Sequence, residues 1–375
     1  MKILLVQDWL RGGGTERQTV FLARAFVARG HAVTLLTFRP GGTLAGELAG
    51  TNVAHRTLQP FDLGLDWFAP RLMQAARTLA PDIVLCMGRM ANSRAGQLQR
   101  ALPRAAVIAT LRTGKALPTA FRRSLTEVRH SVANSEFARR THADSLCGGT
   151  HQRFDAVSIR SGTRQRFDAA ERCSVIPNAL LFPELLTLVP APAEPPVILN
   201  VAQFRRGKGQ RELVAACAGL PRYLPWRLEF VGDGPERPAC ERAAAEAGIA
   251  DRVLFHGWQA NPAGFYRRAS IAALASQPGF ESLPNFLVEA QCAGLPVIAH
   301  DTDGVGETFL DGTTGRLVPA GDRTAFGAAL TELLACPPQR AAMAAAAQVW
   351  ARARFNPDRQ VEAYLALFER LRAES

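Results

Sequence analysis

Short apolar runs rich in β-branched residues alternate with helical stretches through the first half of this chain, break off at a cluster of prolines, and then begin again. In the first half the runs are residues 2–8, 32–38, 82–88, 105–111, 131–134 and 173–177, each bounded by turn residues. Between the first two, Val20, Phe21, Ala23, Phe26 and Val27 recur at helical spacing within residues 16–29, and Gly30 suits the C-terminal stop. Pro183, Pro190, Pro192, Pro195 and Pro196 make residues 182–196 read as a linker, because proline fits neither a helix interior nor a central strand. The runs resume at 197–203, 227–231, 252–256, 271–276, 296–300 and 315–318. Strands that are apolar throughout, each followed by a loop or helix, predict parallel sheets covered on both faces. The expected fold class is α/β, with two doubly wound, Rossmann-like domains facing each other across a cleft. The first spans residues 1–181, residues 182–196 link them, and the second spans 197–354. Residues 355–375 are expected to pack back on the first domain as a helix with Val361, Tyr364, Leu365, Phe368 and Leu371 on its apolar side.

No stretch reaches the eighteen or so apolar residues that a membrane helix needs, and residues 1–38 lack the pattern of a signal peptide. The seven cysteines are scattered without metal-ligand spacing, which predicts reduced core residues in a cytoplasmic protein. Charge is unevenly divided. Residues 1–180 hold 25 Lys+Arg against 12 Asp+Glu, a net of +13, whereas residues 181–375 hold 19 against 21, a net of −2. The excess peaks in residues 112–140 and 153–172. A basic face of this kind attracts anionic lipid or a phosphorylated acceptor; the plainer reading is arginine decorating solvated helices. No aromatic-interleaved basic motif accompanies the charge, so nucleic acid is not an expected partner.

Ligands of doubly wound sheets bind at the carboxyl ends of the strands, which directs attention to residues 279–298. Glu281 and Glu289 lie eight residues apart there, after the run that ends near Ser276. Pro284 suits the first turn of a helix. That places Glu281 in the preceding loop and Glu289 in the second turn, with the free N–H groups around Leu283, Pro284, Asn285 and Phe286 as an anion site. Carboxylates on each side of it can accept hydrogen bonds from sugar hydroxyls, though two ordinary surface glutamates would read the same way locally.

This segment, Glu281 and Glu289 followed by Ala290 and then Gly294-Leu295-Pro296-Val297, resembles the hallmark of the family 4 glycosyltransferases, which have the GT-B fold. The resemblance extends over nearly the whole chain. It includes the glycine-rich loop at 12–17, the segments 132–136 and 175–178, the loops 230–235 and 253–258, and the stretch 305–315. It implies that Glu281 contacts the transferred sugar and that Glu289 binds the ribose. It also implies that Gly14 lets backbone approach the diphosphate or the acceptor, and that backbone near Gly257 and Trp258 holds the base.

The sequence departs from the family at two places. An arginine and a lysine five apart usually neutralise the donor diphosphate; here Lys208 is present but Gln203 stands in the arginine's place, leaving Arg205 or Arg206 to reach in. The histidine common near the acceptor side is replaced by Arg112, which cannot act as a base but can bind an anion. Asp301-Thr302-Asp303 looks like the metal-binding motif of the other glycosyltransferase fold, but it follows the wrong strand for that role, so no metal and no cofactor are expected.

The resemblance implies a retaining, metal-independent hexosyltransferase. Its donor would be a UDP-sugar or else a GDP-sugar. Its acceptor would be a glycan or a phosphorylated or lipid-linked one, in surface polysaccharide or lipopolysaccharide synthesis. With the basic first half, it places the protein in the cytoplasm, peripheral on the inner face of the membrane. A dinucleotide-dependent oxidoreductase would lack the Gly-x-Gly-x-x-Gly spacing at residues 12–14 and leave the two glutamates unexplained. A non-catalytic sugar-nucleotide binder or partner subunit is the other alternative, prompted by Gln203 and Arg112.

Overall fold

The computed structural model describes residues 1–113, 115–146 and 172–374; most of the second basic run lies outside the described residues. The chain divides into two compact units, the first built from residues 1–112, 116–178 and 357–375, the second from residues 113–115 and 179–356.

The first unit holds β1 (Lys2–Gln7), β2 (Ala32–Thr37), β3 (Ala54–Thr57), β4 (Ile83–Cys86), β5 (Ala106–Leu111), β6 (His130–Ala133) and β7 (Cys173–Val175) in one parallel sheet, ordered β3-β2-β1-β4-β5-β6-β7. Alternation of side chains across β1 sends Ile3 and Leu5 into one core and Leu4 and Val6 into another. That is why this strand is apolar throughout. The strand β3, Ala-His-Arg-Thr, has no apolar run to betray it, because it forms the sheet edge and exposes three of its four residues.

On one face lie the helix Gly14–Ala28 and the last helix, Pro357–Ala373. The latter buries Val361, Tyr364, Leu367, Phe368 and Leu371, and Phe368 meets the Phe26 ring edge-on at 5.4 Å. Side chains of this size contribute about 1.5–3 kcal/mol each when fully buried.

The second unit holds β8 (Val197–Val201), β9 (Arg227–Val231), β10 (Val253–Phe255), β11 (Ile271–Leu274), β12 (Val297–Asp301) and β13 (Gly315–Pro319), all parallel and ordered β10-β9-β8-β11-β12-β13. Beyond residues 113–115, the chain passes between units at 178–179 and 356–357. The proline-rich stretch therefore does not stand free as a linker. Leu185 is fully buried with Leu180 against the second core, and Ala191 and Ala193 donate backbone hydrogen bonds to the carbonyls of Arg267 and Arg268.

Candidate active site

In the second sheet, strand order reverses between β8 and β11. Connections leaving those two strands run to opposite sides, so a crevice opens beyond their carboxyl ends. Lys208 stands in the loop after β8 and Glu281 in the loop after β11. The Lys208 ammonium donates to Glu281 Oε1 at 2.7 Å, and the Ser276 hydroxyl donates to the same oxygen at 2.8 Å. Glu281 is buried, 6% exposed, while Lys208 keeps 26% of its side chain open.

Glycine on each side of Lys208 makes this meeting possible. Gly207 and Gly209 have φ of +86° and +71°, a backbone region that L side chains rarely adopt. A Cβ at Gly209 would lie 1.8 Å from the Ala275 carbonyl oxygen, and one at Gly207 would strike the Phe280 ring. The loops are further tied by the Gln277 N–H donating to the Gly207 carbonyl at 2.9 Å.

Asp303, half of the apparent metal motif, is hydrogen-bonded to the loop that presents Glu281. Its carboxylate accepts the backbone N–H of Gly279 at 2.8 Å and that of Glu281 at 3.0 Å. Its own φ of +50° turns the chain back toward that loop. Asp303 thus clamps the peptide that presents Glu281, a positioning contact with no sequence signal, since it joins residues 22 apart. Asp303→Gly keeps the backbone relaxed but removes the clamp, and turnover is expected to fall about 10- to 100-fold. Asp303→Asn retains an acceptor oxygen and should restore most of it. Steady-state kinetics beside thermal unfolding checks this; a role in stability alone would lower the melting temperature of Asp303→Gly and leave kcat unchanged.

The helix after this loop runs Asn285–Cys292, so Pro284 is its N-cap (φ −67°, ψ 112°) rather than part of its first turn. Proline offers no side-chain cap. The helix N-terminus, with its partial positive charge, therefore follows Glu281 directly in the chain. Leu283 and Pro284 are buried, Asn285 is half-buried, and Glu289 is 6% exposed. Glu289 Oε2 accepts the Tyr266 hydroxyl at 2.6 Å. Burial foremost, and then the Glu289 charge, push the Tyr266 phenol well above its ordinary value, so it remains a donor. The second glutamate is thus braced from the core, a contact the sequence did not suggest.

Arg205, Arg206 and Gln203 are exposed on the turn before Lys208, and neither arginine forms an ion pair among the described residues. Gly257, at φ +68°, accepts the Gly232 N–H at 2.8 Å, while the Trp258 side chain is half exposed. A Cβ at Gly232 or Gly234 would press on the Ala202 or Phe204 carbonyl, so these glycines seat the loop after β9 on the loop after β8.

Gly14 and Arg112 belong to the first unit. Gly14 opens its helix, but the Glu16 carboxylate folds over the N-cap Gly13, where an added Cβ would lie 2.5 Å from it. A diphosphate approaching Gly14 would meet like charge. Arg112, expected to bind an anion, is instead built into the fold. Its Nη1 donates to Asn178 Oδ1 at 2.6 Å and its Nη2 to the Tyr364 hydroxyl at 3.1 Å, with Nε buried. It fastens the end of β5 to the last helix and to the point where the chain leaves the unit.

At the first sheet's own reversal, between β1 and β4, the Asp8 carboxylate accepts the N–H groups of Met90 and Ala91 at 3.0 and 2.7 Å. Burial raises its pKa against those hydrogen bonds. The helix N-terminus there is already filled by a native carboxylate.

A family model described as Glycosyl transferases group 1 matches residues 188–350, and one described as Glycosyltransferase Family 4 matches residues 12–147. The chain belongs to the family 4 glycosyltransferases. It is 30% identical over 176 residues to the lipopolysaccharide core biosynthesis glycosyltransferase LpsE of Rhizobium meliloti, a match covering 47% of this chain and 50% of that protein. It is 34% identical over 165 residues to the GDP-mannose-dependent alpha-(1-6)-phosphatidylinositol monomannoside mannosyltransferase of Mycolicibacterium smegmatis, covering 42% and 43% respectively. The chain thus spans about half the length of the curated relatives it matches. Among solved structures, Anabaena HepE in complex with UDP-glucose superposes with a TM-score of 0.77 at 21% identity, over 98% of this chain and 99% of that one. At that identity the likeness is one of fold: each unit is a parallel, Rossmann-like sheet of a GT-B glycosyltransferase.

Proposed function

We propose that the protein transfers a sugar from a nucleoside-diphosphate donor, with retention of anomeric configuration, to a glycan or lipid-linked acceptor in lipopolysaccharide or surface polysaccharide synthesis. The observation that carries this reading is the Lys208–Glu281 pair at the sheet's reversal point, directly before a helix whose N-cap is Pro284. An ammonium and a helix N-terminus suit a departing diphosphate, and a buried carboxylate beside them suits sugar hydroxyls. Glu289, in the helix that follows, suits the ribose. Arg205 and Arg206 are the cations left to complete the phosphate site. Retention follows from a site in which the leaving phosphate, on the same face as the incoming hydroxyl, takes its proton.

The names of the relatives favour lipopolysaccharide assembly. The complex of HepE with UDP-glucose favours a UDP-sugar, with a GDP-sugar as the second choice in view of the mannosyltransferase relative. The net +13 of residues 1–180 favours an acceptor presented at an anionic membrane surface. Incubation with UDP- and GDP-sugars tests the proposal: stabilisation on heating by one of them, with slow release of the nucleoside diphosphate and an α-configured free sugar by NMR, is expected. A protein that binds nucleotide-sugars but never releases product would be the non-catalytic partner instead.

Because Lys208 and the helix N-terminus supply the positive charge, we expect EDTA to leave at least most of the turnover intact. Loss of activity in EDTA, restored by manganese, would assign the diphosphate to a metal.

A further inference from the structure

Among the described residues ten large apolar side chains are exposed, and four of them, Phe61, Leu63, Leu65 and Trp67, fall within seven residues of one loop. This loop follows the edge strand β3 in the first unit. Scattered exposed leucines are ordinary, but a run at every second position with Phe61 65% and Trp67 57% exposed is not.

Nor is the loop slack. Gln59, fully buried, donates through Nε2 to the carbonyls of Leu65 at 2.8 Å and Phe68 at 2.7 Å, and its Oε1 accepts the Leu63 N–H at 3.3 Å. Arg39 grips Asp62 with two hydrogen bonds, at 2.7 and 2.8 Å, and Asp66 with a third at 2.7 Å, while stacking on Trp9 at 3.8 Å. Arg11 pairs with Asp66 as well. Phe68 braces Trp67 edge-on at 6.0 Å. Both acidic residues of the loop are therefore neutralised by arginines behind it. The charges left on its flanks are Arg56 and Arg71, both exposed and neither paired with a carboxylate among the described residues.

The geometry points to this loop as the element that inserts into the interfacial layer of an anionic lipid bilayer. Tryptophan and phenylalanine favour that layer, where one end of the ring is wet. Flanking arginines meet the lipid phosphates, and rigid support removes the ordering cost that a loose loop would incur on insertion. A seven-residue tip is small for a second protein, since a standard interface takes about 20–30 residues per side. The inference deepens the membrane reading above and moves it from charge alone to a particular surface. The basic run around Arg122, Arg123, Arg139 and Arg140 is the weaker candidate. Arg123 and Arg139 pair with Glu127 and Glu136, and the neighbouring aromatic ring, Phe121, is 2% exposed in the core.

The test is sedimentation of the full chain with phosphatidylcholine vesicles containing or lacking phosphatidylglycerol, at low and high salt. Binding to the anionic vesicles is expected to leave a salt-resistant part. Phe61→Ser with Trp67→Ser should weaken partition at least about tenfold and abolish that part. Trp67→Phe should bind nearly as the wild type does but lose most of the tryptophan quenching given by brominated acyl chains. Unchanged partition of the double variant, or undiminished quenching in Trp67→Phe, would overturn the proposal. So would a concentration-dependent self-association that disappears with the same substitutions, which would make a second copy the occupant. Nucleotide-sugar hydrolysis by the double variant, measured without vesicles, should equal the wild type; this separates the fate of the loop from that of the donor site.

Discussion

Glu281→Ala is expected to lower turnover by about 100-fold or more while leaving the affinity for free nucleoside diphosphate within a few-fold of the wild type. The reason lies in where the carboxylate stands. It is buried after β11, held by Ser276 and Lys208, and positioned by Asp303 through the backbone. A group fixed so firmly can favour one geometry of the sugar over another. Glu289 should behave differently, because its partner in the proposed reading belongs to the nucleoside. Glu289→Gln keeps an acceptor for Tyr266 but loses the charge, so donor and free nucleoside diphosphate should weaken together, about tenfold, with kcat less affected. Glu289→Ala is less informative: it strands a fully buried phenol, at about 1–3 kcal/mol of stability. Initial rates over a range of donor, with calorimetric titration of the nucleoside diphosphate, check both. Loss of nucleotide affinity alone in both variants would refute the division of roles.

Lys208→Ala should be the other severe change, and in two ways at once. Removing the ammonium takes the positive charge from the proposed diphosphate site, which predicts a fall in turnover of about 100-fold. It also leaves Glu281 charged and buried beside only a hydroxyl, which should destabilise the fold by about 2–4 kcal/mol, since an uncompensated buried carboxylate has lost its counter-ion. Lys208→Ala together with Glu281→Ala removes both charges, so the double variant should unfold at a higher temperature than Lys208→Ala alone, though it stays inactive. Urea unfolding of the four members of this cycle measures the coupling. Additive stabilities would mean that the 2.7 Å contact carries no interaction of consequence.

Much of this molecule could be read from local pattern. Uninterrupted apolar runs such as Ile3–Val6 and Val197–Leu199 mean strands buried on both faces, and the repetition of the pattern means two sheets. The helical spacing of Val361, Tyr364, Phe368 and Leu371 likewise announced a helix with one buried side. Glu281 and Glu289 could be assigned to the loop and helix after one strand because their neighbours, Pro284 and the apolar run before Ser276, are adjacent in the chain. The strand β3 escaped because an edge strand need not be apolar.

What only the tertiary structure decided are the meetings between residues far apart in sequence. Lys208 finds Glu281 across 73 positions because two left-handed glycines let one loop press on another. Asp303 clamps the backbone of the loop that presents Glu281, 22 positions away. Arg112, free to bind an anion on paper, is claimed by Tyr364, 252 positions away. Phe121, amid basic residues, is buried in a core of the first unit, and Leu185 of the proline-rich stretch in a core of the second. Periodicity reports which side of an element is dry, because burial repeats along the chain at 2 or 3.6 residues. Which polar group faces which is settled by how elements stack, and no spacing along the chain encodes that distance.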